Sequence, residues 1–352
     1  MIDAGRMIVK TMLKGAHWMG LSRAYRSFGT CAGAILMLHR VTRHGGSPLG
    51  YNDHLTITPE FLDQALTELK RDGYQFMTMD EIADGLSNGI VTGCAAALTA
   101  DDGYRDNLTE ALPVLESHNI PITIYVAPGQ IDGGVCLWWV VLETIIARSK
   151  TLDLPATGGV LTLDCSTPAA RRKAFQTAIR VLTQEVAEKE VDGLMRGLAA
   201  QVGLDAGAVS SGLLMTWDEL RQISANSLVT IGSHTVHHYH LRRLNDADAA
   251  LEIGDAAAMI ERQLGTQPRH MAFPYGYEAA VGPREPKLAE DAGFVTAVTT
   301  RHGLLTSKHD CHMLALPRIS VNGHYQSTDY LSTMLSGITV PLANRGRRVV
   351  TV

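Results

Sequence analysis

Apolar residues fall along this chain in two rhythms. Short unbroken runs of strand length recur at Ala34 to Leu38, Cys94 to Leu98, Ile120 to Val126, Leu228 to Ile231, His270 to Phe273 and Phe294 to Thr299. Such runs predict strands buried on both faces. Tyr74 to Met79 predicts a further strand, and Leu314 to Val321, interrupted by Pro317, the last. Between the runs lie segments with helical spacing. Thr58-Pro59-Glu60 opens one, with Thr58 as cap, Pro59 at the first helical position, and Phe61, Leu62, Ala65, Leu66 and Leu69 on one face. Asp80 to Leu86 (capped by Asp80), Arg105 to Ser117, Trp217 to Ser224 (capped by Thr216) and Asp246 to Leu264 predict others. Strands alternating with helices in this number imply a parallel sheet, most simply a closed barrel. From Trp138 to about Leu214 the rhythm breaks. Ala169 to Glu190 and Asp192 to Gln201 are helical and charge-laced there, which predicts a helical insertion on the main domain.

Polar groups gather where the apolar runs stop. His39 follows the first run, Asp101 and Asp102 follow Thr99-Ala100, His234 to His238 follow Gly232-Ser233, and Tyr275 follows Phe273-Pro274. In a parallel barrel those carboxyl ends face one mouth, so residues distant in sequence converge on one site. Adjacent carboxylates repel, and a buried pair needs a cation, a shared proton or a hydrogen-bond network; the simpler reading of Asp101-Asp102 is a helix cap. His234 and His238 stand four apart, the spacing that brings two imidazoles to one face of a helical turn and to one cation. The simpler reading is a solvated histidine loop. Adding one carboxylate makes a two-histidine, one-carboxylate site with open positions for water. His237 and His240 point elsewhere on that turn.

Bulk properties narrow the field. The 352 residues suffice for one large α/β barrel, and 45% hydrophobic with 19% charged residues is ordinary for a globular chain. A net charge of -5 argues against nucleic acid as the main partner. Five cysteines, Cys31, Cys94, Cys136, Cys165 and Cys311, lack paired spacing and are expected to be reduced, packed thiols. No apolar run is long enough to cross a bilayer. Between Arg6 and Arg26, apolar Met7, Ile8, Met12, Leu13, Trp18, Met19 and Leu21 alternate with Lys10, Lys14 and Arg23. This segment lacks the unbroken core of a signal peptide and predicts an amphipathic helix packed on the domain or lying on a membrane surface.

Three motifs in order resemble the polysaccharide deacetylases, carbohydrate esterase family four, or NodB-homology domain. Thr99-Ala100-Asp101-Asp102-Gly103 is similar to the family's Thr-Phe-Asp-Asp-Gly, His234-Thr235-Val236-His237-His238 to its His-Ser/Thr-x-x-His, and Phe273-Pro274-Tyr275-Gly276 to its Pro-Tyr motif. The resemblance implies a distorted (β/α)7–8 barrel over about 31–340 with the insertion at about 138–214, an N-terminal segment 1–30 and a tail 341–352. It implies Asp102, His234 and His238 as ligands of a divalent metal, zinc foremost, with cobalt, nickel or manganese as alternatives. Asp101 becomes the general base and the Tyr275 backbone N–H an oxyanion donor. The family's acid-bearing Leu-x-x-His strand has no good match after Tyr275. Leu36-Met37-Leu38-His39 resembles it at the other end, as in circularly permuted members, which makes His39 the expected general acid. The family's base-orienting arginine is replaced locally by Met271-Ala272-Phe273, and Arg318 is expected to reach Asp101 instead, with Arg269 the weaker choice. Trp217, Tyr104 and the Trp138-Trp139 pair are expected to meet sugar. The implied activity is removal of N-acetyl groups from hexosamines of an oligo- or polysaccharide; the alternatives are an O-acetyl esterase, a small-amide amidohydrolase or a catalytically silent carbohydrate-binding barrel. Cytoplasmic residence is expected, with the inner membrane face as a place of work.

Overall fold

The computed structural model describes residues 4–21, 33–44, 47–89 and 94–352. Arg23, Arg26, Cys31, Gly45 and Gly46 lie outside them. In chain order the strands are β1 (Gly33–Leu38), β2 (Arg40–Val41), β3 (Thr56–Ile57), β4 (Gln75–Phe76), β5 (Ala95–Ala100) and β6 (Ile122–Val126), then β7 (Thr151–Ala156), β8 (Gly159–Asp164), β9 (Val229–Ser233), β10 (His270–Ala272), β11 (Thr296–His302) and β12 (Leu316–Ser320). Hydrogen-bonded neighbours run β1-β12-β11-β10-β9-β6-β5, and β5 pairs again with β1 along Gly33↔Ala95 to Leu38↔Ala100. Among the described residues, seven parallel strands thus close into a barrel ringed by helices. β4 only flanks the start of β5, Gln75 opposite Ala95.

Every residue of β1, β5 and β6 is buried, which is why their sequences are continuous apolar runs without alternation. The alternation survives as a division between two cores. Leu36, Leu98, Ile122 and Ile124 pack outward under Phe61, Leu62 and Leu66 of the helix Pro59–Arg71. Ile35, Ala97, Tyr125, Ala272, Val298 and Leu316 form an inner cluster with Met79 and Ile82 of the helix Met79–Ser87. Successive side chains on a strand point to opposite faces. The inward files therefore continue from Ile35 to His39, from Ala97 through Thr99 to Asp101, and from Leu316 through Arg318 to Ser320. The interior is apolar at one end and becomes polar toward the carboxyl ends of the strands, where the site is built.

Three local expectations are corrected. The helix Met79–Ser87 is capped by Thr78 in a reciprocal capping box with Glu81, not by Asp80, because Thr78 is in the extended conformation a cap requires; the preceding strand shrinks to Gln75–Phe76. Within 105–117, a π-turn at Asn107–Ala111 precedes the helix Leu112–His118. The stretch 138–214 holds the helices Trp138–Arg148, Pro168–Gln184, Glu188–Gln201 and Ala206–Ser211, and also an antiparallel hairpin of β7 and β8. That hairpin alternates Leu152 and Leu154 inward with Thr151 and Asp153 outward. Leu142, Ile146, Phe175, Val181 and Met195 give the stretch a core of its own.

The N-terminal helix, Ala4–Trp18, lies on the helix Thr328–Leu335, with Leu13 buried at their contact and its carbonyl accepting from Thr333 Oγ1 at 3.1 Å. No helix of the described residues is long and apolar enough to cross a membrane. Cys136 and Cys165 are buried free thiols, whereas Cys94 and Cys311 are exposed, contrary to the expectation of uniform packing.

Candidate active site

The diacid begins where β5 stops. Asp101 N–H still donates to Leu38 O at 3.0 Å, so its carboxyl continues the inward file of β5 beside the end of β1. Arg318, fully buried on β12, reaches it with both guanidinium arms: Nη1 to Oδ1 and Nη2 to Oδ2, each 2.7 Å. Its Nε donates to Thr299 O at 2.9 Å, and Nη1 also approaches Thr99 Oγ1 at 3.2 Å, so the fork is held in one orientation. Burial opposes charge on Asp101, but the Arg318 cation and its two hydrogen bonds outweigh it and hold the carboxyl well below the usual range. Arg269 pairs with Asp80 at 2.8 Å and takes no part.

Asp102 leaves the strand in the left-handed region, φ 72°, and Gly103 follows at φ 69° with Val126 Cγ1 2.9 Å from where a Cβ would sit. Only glycine fits that second position, and it fixes the turn that aims Asp102 away from Asp101. Of the six non-glycine residues with positive φ among the described residues, four belong to this site: Asp102, Thr235, His238 and Tyr275. Such conformations each cost on the order of 1–3 kcal/mol and persist where the surroundings dictate them.

His234 continues β9, its N–H bonded to Val126 O at 2.8 Å, and its Nδ1 lies 2.7 Å from Ala272 O. That bond assigns the proton to Nδ1 and leaves the Nε2 lone pair free. The helical turn expected for 234–238 does not form. Two left-handed residues, Thr235 and His238, curl the loop instead, and the Thr235 hydroxyl accepts from the His238 N–H at 3.2 Å. The outcome is nonetheless convergence: His234 Nε2 and His238 Nε2 each lie 3.6 Å from Asp102 Oδ1.

These three side chains fit a cation. One ligand atom from each lies within 4.8 Å of the others, and ligand atoms on a shared ion with bonds of about 2.0–2.2 Å stand roughly 3–3.5 Å apart. Asp102 Oδ1 is buried without a hydrogen-bond partner. Burial and the neighbouring Asp101 charge push the Asp102 carboxyl well above its usual range, so as a bare carboxylate it is disfavoured and calls for a positive charge. Burial pushes both imidazoles down, and neutral imidazoles are the form that ligates.

Around this centre lies a cavity of about 490 Å³. His39, Tyr275, Trp138 and Trp139 line it. Burial drives the His39 pKa down to about 4 against the opposing pull of Asp101, so the ring is neutral near pH 7. Tyr275 (φ 61°) precedes Gly276, whose Cβ would fall 2.5 Å from Thr300 N; its N–H has no hydrogen-bond acceptor among the described residues. Tyr104 and Trp217 are not brought to the cavity. Tyr104 is fully buried behind the wall, receiving the Trp139 indole N–H at 3.1 Å, and Trp217 donates to Asp132 at 2.6 Å while packing on the main core. His237 turns outward to Glu252, 2.6 Å from Nδ1 to Oε1.

Sequence reasoning missed the rim formed by Asn52, His54, Asn322 and His324. Asn52 is placed by Glu143 of the insertion. That buried carboxylate accepts from Leu49 N, Tyr51 N and Asn52 N at 2.9–3.2 Å and from Asn52 Nδ2 at 2.6 Å. No local motif announces such a contact across some ninety residues, although a lone glutamate in the apolar run Trp138 to Ile146 is the trace it leaves.

A parallel barrel with a buried diacid and paired imidazoles at the carboxyl ends of its strands defines a class of hydrolase scaffold. Residues 90–296 match the family model of polysaccharide deacetylase. The chain therefore belongs to the polysaccharide deacetylase family, hydrolases that act on acetylated polysaccharide. Solved structures agree in fold. The Streptococcus pyogenes deacetylase PplD, in complex with acetate, is 18% identical with a TM-score of 0.57 over 86% of this chain and 97% of that one. IcaB from Ammonifex degensii is 19% identical with a TM-score of 0.54 over 86% and 97%. A de-N-acetylase from Aggregatibacter actinomycetemcomitans is 15% identical with a TM-score of 0.52 over 85% and 98%. No curated protein sequence matches this chain.

Proposed function

We propose that this protein is a divalent-metal N-deacetylase of hexosamine-containing oligo- or polysaccharide. The observation that carries the reading is the pairing of an orphaned, buried Asp102 carboxylate between two imidazoles with a second carboxylate locked by Arg318. Asp102, His234 and His238 would hold the ion, zinc foremost. The chemistry supplied there by a divalent cation is polarisation of the acetyl carbonyl and acidification of the attacking water.

The chain's own groups divide the remaining work. Asp101, kept ionised and immobile, takes the water's proton as attack begins. His39 ends β1 in register with the end of β5, beside Asp101. Burial keeps the His39 ring neutral at rest, so it is free to receive that proton and deliver it to the departing amine. The Tyr275 N–H is available to the oxyanion. Trp138 and Trp139 offer ring faces to the sugar. The permuted arrangement is supported by β1, which comes first among the barrel strands and closes the ring between β12 and β5. The domain division at 31–340, with 138–214 inserted, is part of the same reading, as are cytoplasmic residence and contact of the N-terminal helix with the inner membrane face.

The test is acetate release from N-acetylated chitooligosaccharides alongside metal content. Wild type is expected to bind one divalent ion and release acetate; Asp101→Asn keeps the ion and loses at least about a hundredfold in turnover. Bound ion with release only from O-acetylated sugar would make the protein an esterase, and turnover unchanged in Asp101→Asn would remove the assigned base.

A further inference from the structure

The N-terminal helix sits on the protein the wrong way round. At 100° per residue, Met7, Ile8, Met12 and Trp18 share one broad side, continued by Met19 one residue past the helix end. These side chains are 56%, 61%, 61%, 78% and 70% exposed. The side turned to the domain is narrower and largely polar. Leu13 is buried there, His17 Nε2 lies 3.3 Å from Asp329 Oδ1, and the Lys10 ammonium rests 5.9 Å from the Tyr325 ring centre. The helix Pro59–Arg71 does the opposite, burying Phe61, Leu62, Leu66 and Leu69. An exposed apolar surface of this kind on a soluble face marks an interaction site.

Charge selects the occupant. The segment Ala4–Trp18 contains no Asp or Glu, on a chain whose net charge is -5. Lys14 is exposed at the border of the apolar side. Apolar residues including a tryptophan, flanked by lysine and without acid, suit the headgroup boundary of an anionic bilayer. Place matters as much. Tyr325, under Lys10, directly follows His324, which lines the catalytic cavity together with Asn322. The N-terminal helix therefore lies against the segment that carries the rim of the mouth.

We infer that the N-terminal helix lays this side into the interface of an anionic membrane and so sets the cavity mouth against acetylated glycan held at that surface. The inference rests on the deacetylase reading for its substrate and names the form in which that substrate is presented. Docking leaves the site itself unaltered, so soluble oligomers are processed with or without lipid.

The test uses the full chain, phosphatidylcholine vesicles with and without phosphatidylglycerol, and the double variant Ile8→Glu, Met12→Glu. Wild type is expected to co-sediment with phosphatidylglycerol vesicles, more weakly at high salt, and its fluorescence to shift to the blue through Trp18, a shift absent in Trp18→Phe. The double variant should lose at least about tenfold in vesicle affinity. Its turnover of soluble chitooligosaccharide should match wild type, while release from a glycan attached to a vesicle lipid falls by a similar factor. Binding that is absent in wild type or unchanged in the double variant overturns the inference. So does a dimer that Ile8→Glu, Met12→Glu dissolves, since the helix would then cover a second copy. Absence of acetate release from soluble sugar by both proteins, with vesicle binding intact, would instead defeat the deacetylase reading alone.

Discussion

The barrel side and the insertion side of the cavity are assembled differently. On the barrel side, Asp101, Asp102, His234, Tyr275 and Arg318 all sit on or just past strands whose backbones are bonded to one another, so their places follow from strand register. On the insertion side, Trp138 and Trp139 stand on a helix supported by a separate core, and Glu143 from that helix ties down the segment carrying Asn52. The first side is charged and built into the strand ladder; the second is aromatic and is joined to the barrel by side-chain hydrogen bonds and by the packing of Leu137, Trp139 and Leu214 around Tyr104. On the proposed reading, chemistry falls to the side fixed by strand register and recognition to the side carried by the insertion.

The comparison breaks if residues of the barrel side can be lost cheaply. Asp102→Ala is expected to abolish stoichiometric metal binding and to cost at least about a thousandfold in turnover, read by metal analysis and acetate release. It removes an unsatisfied buried carboxyl, so its melting temperature without metal should be equal to or above that of wild type. A variant that binds metal normally would dissolve the proposed cage.

Arg318→Ala comes next. Without its cation the Asp101 carboxyl rises from well below its usual range, because burial is then opposed only by the weaker pull of His234 and His39. The wild-type contribution of this depressed group is full above the ordinary carboxylate pKa and is withdrawn only as pH falls below it. In the variant the acid limb of the pH–rate profile should therefore move to higher pH, with stability lower by about 3–5 kcal/mol at pH 7. Arg318→Lys should restore part of the charge effect but not the two-point hold. An unmoved acid limb would show that Asp101 is not the group being titrated.

Smaller effects belong to the insertion side. Glu143→Ala leaves Leu49, Tyr51 and Asn52 donors unpaired and is expected to destabilise by roughly 2–3 kcal/mol, raising KM several-fold with kcat little changed. Trp217→Phe, outside the cavity, should leave both constants at wild-type values. If Glu143→Ala lowered kcat as much as Arg318→Ala does, the division between the two sides would fail.

Strand ends and their motifs were legible because burial on both faces forces continuous apolar runs, and the residue that ends each run must lie at the mouth. Helix caps were legible where extended backbone and a hydroxyl coincide, as at Thr58, and were misjudged at Thr78, where an aspartate two residues later competed for the role. The i, i+4 spacing of His234 and His238 predicted that the imidazoles meet, yet for the wrong local reason: two left-handed residues bring them together where a helical turn was expected. Tyr104 and Trp217 show the opposite failure. Aromatic type alone cannot tell a sugar platform from a packed wall, since both are apolar with one polar edge.

By itself the amino-acid order determined the strand and helix alternation, the barrel it implies and the residues at each strand terminus, because these follow from local periodicity and from which side chains avoid water. Only the tertiary structure decided that Arg318 meets Asp101 as a two-point fork, that Glu143 holds the Asn52 segment, and that the N-terminal helix turns its apolar side outward. Those are contacts between residues some ninety to three hundred positions apart, and barrel closure and packing, not local periodicity, set their geometry.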